Sequence, residues 1–253
     1  MSDAPVRIAM WSGPRNISTA MMRSWGSRPD TFVTDEPLYA HYLEATGVDH
    51  PARDEVIAAH EIDWRKVVAW LTGPVPGGPG ESHTVWFQKH MTHHMLPDID
   101  RAWLWRPEFR HAFLIRDPAE MLVSLVKVTP NPTVSDTGLP QQIELFEEAR
   151  RRLSGGRVPP VVDAADVLRE PRRMLAALCR ALGVPFDERM LTWERGRRKT
   201  DGVWAEHWYG VVERSTGFGP YVPRRERPPE RLAALLDECQ GYYERMHRER
   251  LKP

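Results

Sequence analysis

Cysteine is scarce: Cys179 and Cys239 are the only two in 253 residues. Both fall on apolar faces of predicted helices. They read as small core residues in a reducing cytoplasm, and they exclude a disulfide framework. Net charge is lacking as well, because 35 Lys and Arg balance 35 Asp and Glu. No global field recruits nucleic acid or an anionic membrane, so any anion site has to be local. There is no apolar run of roughly 18 residues and no N-terminal apolar segment, so neither membrane insertion nor export is expected. Internal repeats and long low-complexity tracts are missing too, although ten tryptophans and 23 prolines are present. That combination suggests aromatic-lined loops rather than disorder, in one large α/β domain over residues 1–253 with ample core.

What the chain does contain is a strand–turn–helix unit at its start. Ile8, Ala9, Met10 and Trp11 form a short apolar run that Ser12-Gly13-Pro14 breaks. Beyond the break, Ile17, Ala20, Met21, Ser24 and Trp25 recur at helical spacing. A strand feeding a helix through such a turn aims backbone N–H groups and the positive helix end at one point. This is an anion site before any side chain is counted. Arg15 adds a fixed cation there, and Ser18 and Thr19 add hydroxyl donors. Laid over residues 12–19, the nucleotide P-loop pattern G-x-x-x-x-G-K-[ST] fits only at Thr19. Ser12 and Ile17 replace the glycines, and Ser18 replaces the lysine that reaches the terminal phosphates in a kinase or ATPase. On this segment alone, a plain turn with a surface arginine stays open as the alternative.

Strands and helices alternate along the rest. Strands are expected over 31–34, 84–87, 111–115 and 159–163. Helices are expected over 52–72, after Asp117-Pro118, over 141–153, and from Pro171 to a stop at Gly183. A closing amphipathic helix carries Leu232, Leu235, Leu236, Cys239, Tyr242 and Met246. Such alternation predicts a parallel sheet covered on both faces. The Pro/Gly-rich residues 74–80, the proline-containing 129–140 and the Trp/Tyr/Gly-rich 204–221 read as loops, the second long enough to cover a site.

Glu36 ends the second strand, where open α/β sheets bind ligands; it also reads as a helix N-terminal charge ahead of Pro37. His90, His93 and His94 share one face if their segment is helical. No cysteine or carboxylate pattern completes a zinc signature, so no metal is expected and a single histidine acting as a base is the better functional reading. Lys89 reads as an exposed strand-end lysine, with assistance to a leaving group as the functional alternative. Trp103, Trp105, Trp204 and Trp208 suit either stacking on a sugar or aromatic ring, or core packing.

Three blocks resemble the sulfotransferases that use 3′-phosphoadenosine 5′-phosphosulfate (PAPS). Pro14-Arg15-Asn16-Ile17-Ser18-Thr19 resembles the family's 5′-phosphosulfate loop, [KR]-[ST]-G-[ST]-[ST], with Asn16 and Ile17 departing from it. Phe113-Leu114-Ile115-Arg116-Asp117-Pro118, with Ser124 eight residues after Arg116, resembles the 3′-phosphate motif, whose arginine and serine grip that phosphate. Residues 163–187 resemble the later strand and helix. Arg214-Ser215-Thr216-Gly217-Phe218-Gly219 stands in for the C-terminal R-K-G-x-x-G loop, implying a contact from Arg214. Trp204-Ala205-Glu206-His207-Trp208-Tyr209 is similar to a bacterial-type branch.

The resemblance implies a three-layer α/β/α fold with a central, mostly parallel sheet, P-loop NTPase-like. It implies sulfuryl transfer from PAPS to a hydroxyl or amine of a small-molecule acceptor, leaving adenosine 3′,5′-bisphosphate (PAP). Arg15, Ser18 and Thr19 would stabilise the departing phosphate, and Arg116 with Ser124 would hold the 3′-phosphate. His90 is the implied base, Glu36 its rival and His207 a third choice. A non-catalytic PAP- or phosphate-binding module and an ATP-dependent phosphotransferase remain alternatives. Neither nucleic acid nor a membrane is an expected partner, and the expected location is cytoplasmic. The acceptor and the oligomeric state do not follow from the sequence.

Overall fold

A computed structural model describes residues 5–77, 82–153 and 157–252. Of the loop expected over 74–80, residues 78–80 lie outside the described ones. Five parallel strands form the centre: β1 (Val6–Ser12), β2 (Thr31–Asp35), β3 (Val85–Met91), β4 (Phe109–Ile115) and β5 (Val161–Asp163), in the order β2-β3-β1-β4-β5. Around them the chain adds α1 (Ser18–Gly26), α2 (Tyr39–Thr46), α3 (Arg53–Ala59), α4 (Trp64–Leu71), α5 (Pro118–Leu125), α6 (Val134–Thr137), α7 (Leu139–Arg152), α8 (Ala164–Arg169), α9 (Pro171–Leu182), α10 (Ala205–Trp208), α11 (Gly210–Glu213) and α12 (Ala233–His247).

The strand pleat sends Ile8 and Met10 into one apolar layer and Ala9 and Trp11 into the other. Met21 and Trp25 of α1 and Leu175 and Leu178 of α9 fill the first layer. Leu71 of α4, Leu122 of α5, Phe146 of α7 and Met246 of α12 fill the second. The three-layer α/β/α arrangement follows from strands apolar on both faces. Cys179 and Cys239 are free and buried, one in each layer. No described helix is long and apolar enough to cross a membrane.

Several expected boundaries move. β3 runs on to Met91, so Gln88, Lys89 and His90 are strand residues, and only a short 3₁₀ turn, Thr92–His94, follows. His90, His93 and His94 therefore do not share a helical face. The helix expected over 52–72 is two helices, because His60 is extended and Asp63 caps α4 by accepting from the Arg65 N–H at 2.9 Å. The stretch 129–140 holds α6 and the start of α7, and 204–221 holds α10 and α11. On α12 it is Tyr243, rather than Tyr242, that is buried.

β1 is the central strand, flanked by β3 and β4, and the connections after it and after β4 turn to opposite sides. Open α/β sheets bind ligands at such a switch point, outside the carboxyl ends of the strands. Gly13 lets α6 press on that end: a Cβ at position 13 would lie 2.4 Å from the Thr137 carbonyl oxygen.

Candidate active site

A cleft of about 410 Å³ opens at the carboxyl ends of the strands, lined by residues of the turns after β1, β2, β3 and β4 and by the segment from Trp193 to Arg224. At one end, β1 delivers Arg15 in a left-handed conformation, φ 59°, just before α1. No side chain caps α1, so its first N–H groups remain available to a ligand. Asn16 donates to the Leu114 carbonyl at 3.1 Å, so the residue that departs from the family's loop pattern ties the turn to β4. Arg15 Nε donates to Ser124 Oγ at 2.9 Å, and Arg116 Nη1 donates to the Arg15 carbonyl at 2.8 Å. The two motifs singled out in the sequence are therefore in direct contact.

Arg116 also pairs with Glu120 at 3.0 Å, and the Tyr221 hydroxyl donates to Glu120 at 2.7 Å. The Asp117 carboxylate caps α5 by accepting from the Ala119 and Glu120 N–H groups. Burial, then the neighbouring Arg116 and Arg224, push the Arg15 pKa down. Crowded guanidinium groups beside an open helix N-terminus favour an anion of more than one charge.

The other end is built on a buried lysine. Lys89 is 1% exposed. Its ammonium donates to Asp35 at 2.8 Å, to the Tyr209 hydroxyl at 2.9 Å, and to Glu36. The Tyr209 hydroxyl also binds Asp35 at 2.7 Å and accepts from the Trp204 indole at 3.1 Å. Burial pulls the Lys89 pKa down, but Asp35, Glu36 and Tyr209 outweigh it and raise the value well above the usual one. One ammonium cannot neutralise two carboxylates. Burial, reinforced by Asp35, therefore keeps the Glu36 pKa above the ordinary value despite Lys89. Glu36 is held in place by its left-handed backbone, φ 40°, and by its N–H bond to the Lys89 carbonyl at 2.9 Å.

Past Glu36 the wall is aromatic. Tyr39 and Tyr42 stack on His94 at 4.7 and 4.8 Å, and the Tyr39 hydroxyl meets His50 Nδ1 at 3.0 Å. Burial pushes the His93 pKa down to about 3 and that of His94 well below the usual value, so both rings are neutral.

Pro14, Arg15, Asn16, Ile17, Ser18, Thr19, Glu36, Arg116 and Ser124 all line this cleft. His90 is not among the lining residues. Paired with Trp11 across β1 and β3, it faces the second apolar layer, stacks on Trp11 at 4.5 Å and bonds Gln88 at 3.2 Å. Arg214 is exposed and does not line the cleft; Arg224 does. His207 is exposed and lies elsewhere. Lys89 is buried, not an exposed strand end. Among the tryptophans, Trp103 and Trp204 are core, Trp105 packs against it, and Trp208 lines the cleft.

Tyr39, Tyr42, His50, Asp136 and Arg224 were not foreseen. The Tyr39/Tyr42 spacing of three after Pro37 was a usable helix signal. Arg224 lies in a Pro/Arg-rich stretch with no periodicity to read.

Among the solved structures that resemble this fold are two sulfotransferases. The sulfotransferase domain from the curacin biosynthetic pathway matches with a TM-score of 0.53 and 18% identity, covering 100% of each chain. The sulfotransferase from Alicyclobacillus acidocaldarius matches with a TM-score of 0.51 and 14% identity, covering 98% of each. Two proteins of Arabidopsis thaliana, named branched-chain-amino-acid aminotransferase-like protein 2 and protein 1, are 35% and 39% identical over 236 and 214 residues. The matches cover 93% and 85% of this chain but only 40% and 37% of those proteins. The model of the sulfotransferase domain matches residues 6–249, and the chain belongs to that family.

Proposed function

We propose that this chain transfers a sulfuryl group from PAPS to a hydroxyl or amino group of a small-molecule acceptor. The observation that carries the reading is the contact between Arg15 and Ser124, 109 residues apart in sequence, inside one cleft that also holds Arg116 and Glu36. The donor set fits a nucleotide with charge at both ends: an uncapped helix N-terminus with Arg15, Ser18 and Thr19 for the phosphosulfate, and Arg116 with Ser124 for the 3′-phosphate.

PAPS supplies the sulfuryl group; the chain supplies position and charge. The S–O bond to the 5′-phosphate breaks, its electron pair stays with PAP, and a bond forms between sulfur and the acceptor oxygen or nitrogen. Arg15 and the α1 N–H groups stabilise the charge that builds on the departing phosphate oxygen. We assign the acceptor's proton to Glu36 rather than His90. Glu36 lines the cleft, and its raised pKa makes it a stronger base than an ordinary carboxylate. Lys89 holds Glu36 in place and limits that rise.

Thermal unfolding with added ligand tests the reading. PAP is expected to raise the melting temperature, whereas ATP with Mg²⁺ is not. Stabilisation by ATP–Mg²⁺ but not PAP overturns it. PAP binding without transfer to any acceptor favours a binding module instead.

A further inference from the structure

The cleft is electrostatically lopsided. Its arginines, Arg15, Arg116 and Arg224, stand together at one end, where the donor's own negative charges would occupy them. At the other end the only lining cation among the described residues is Lys89. It is enclosed by Asp35, Glu36 and Tyr209 and has no face left for a ligand. Glu36 and Asp136 bring negative charge to this end. Asp136 Oδ2 accepts from the Thr133 N–H and hydroxyl at 2.7 and 2.8 Å, which fixes the carboxylate beside Tyr42, His50 and His93.

The imidazoles here do not restore the balance. His93 and His94 are 7% and 2% exposed and sit against Tyr42, and His94 also stacks on Tyr39. Burial keeps both uncharged, with His50 adding to it for His93, and His93 and His50 for His94. This wall can hydrogen-bond a ligand but cannot neutralise one. Apolar side chains also line the cleft: Val128 and Val211 are 42% and 78% exposed, and Val212 and Trp208 line it as well. Together with Tyr39 and Tyr42 they give a ligand in this cleft apolar surface to meet.

We infer that the acceptor is an alcohol or amine with an apolar flank and no carboxylate, phosphate or sulfate of its own. The inference rests on the sulfotransferase reading and narrows it. A carboxylate placed beside Glu36 and Asp136, close to the donor's anionic groups, would meet net negative charge, because Lys89 offsets only one of Asp35 and Glu36 and Asp136 adds another. A protonated amine would be attracted by the same carboxylates and by the tyrosine faces before losing its proton to Glu36.

The test uses three probes that share one body and differ in the group presented: 2-phenylethanol, 2-phenylethylamine and phenylacetate. Each is titrated calorimetrically into the PAP-loaded chain at pH 8. The alcohol and the amine are expected to bind, with phenylacetate at least tenfold weaker than the alcohol. In Glu36→Gln, which removes one negative charge at nearly constant shape, the penalty on phenylacetate should shrink several-fold. Phenylacetate binding as well as the alcohol, no binding of either uncharged or cationic probe, or an unchanged ratio in Glu36→Gln overturns the inference. Failure of PAP itself to bind sinks the sulfotransferase reading, and this inference with it. PAP binding followed by a preference for phenylacetate sinks the inference alone.

Discussion

Two adjacent side chains, Lys89 and His90, are sent to opposite faces of one strand, and that decides which of them meets the cleft. Lys89 reaches Asp35, Glu36 and Tyr209, while His90 is stacked on Trp11 with its pKa pushed down to about 3 by burial. Glu36→Gln is expected to lower kcat by about 10²–10⁴-fold, the usual range for a lost general base. A base works ionised, so wild-type activity should fall as pH drops through the Glu36 pKa, at a pH above the ordinary carboxylate value. That limb should vanish in Glu36→Gln and persist in His90→Asn. A limb lost with His90 and kept without Glu36 contradicts the assignment. Arg116→Ala removes charge-assisted bonds and should weaken PAP about ten- to a hundredfold by calorimetry. Unchanged affinity removes the arginine from the cofactor site.

At the scale of elements, the turn after β1 depends on a close approach by α6. The Gly13 Cα faces the Thr137 carbonyl so nearly that a methyl group has no room. Thr92 reinforces the contact by donating its hydroxyl to the Gly138 carbonyl at 2.7 Å, and Gln142 bonds the Trp11 and Leu114 carbonyls at 3.1 and 2.9 Å. Gly13→Ala should therefore cost about 1–3 kcal/mol, the range for overpacking. It should also weaken PAP, because the turn carrying Arg15 must shift. Thermal unfolding and a PAP titration check both; a variant as stable as wild type would show that α6 yields freely.

At the scale of the molecule, several histidines are neutral because they are buried. His90 and His93 have pKa values pushed down to about 3, His111 to about 4, and His94 well below the usual value. In the unfolded chain each titrates near about 6.5, so below that pH the unfolded state binds more protons. Stability should fall as pH drops from there, by up to about 1.4 kcal/mol per pH unit for each histidine. Glu36 and Asp163, with their pKa values raised by burial, act in the opposite direction, but they are two groups against these four histidines. The melting temperature should decline through the range where an ordinary carboxylate is still ionised. A value that stays flat down to about pH 5 contradicts this account.

The sequence by itself determined the alternation of strands and helices, the strand–turn–helix unit at β1 and α1, and Asp117 as a cap. Those depend on local periodicity and on residue types whose roles hold in any context. It could not settle where β3 ends, because Gln88, Lys89 and His90 carry no apolar signal and are buried by neighbouring strands rather than by their own character. The proposal of Glu36 over His90 rests on that ending. Only the tertiary structure brought Arg15 to Ser124, enclosed Lys89 between two carboxylates and set Tyr39, Tyr42 and Arg224 around the cleft. These are long-range juxtapositions, fixed by strand order and the pleat, which no local pattern encodes.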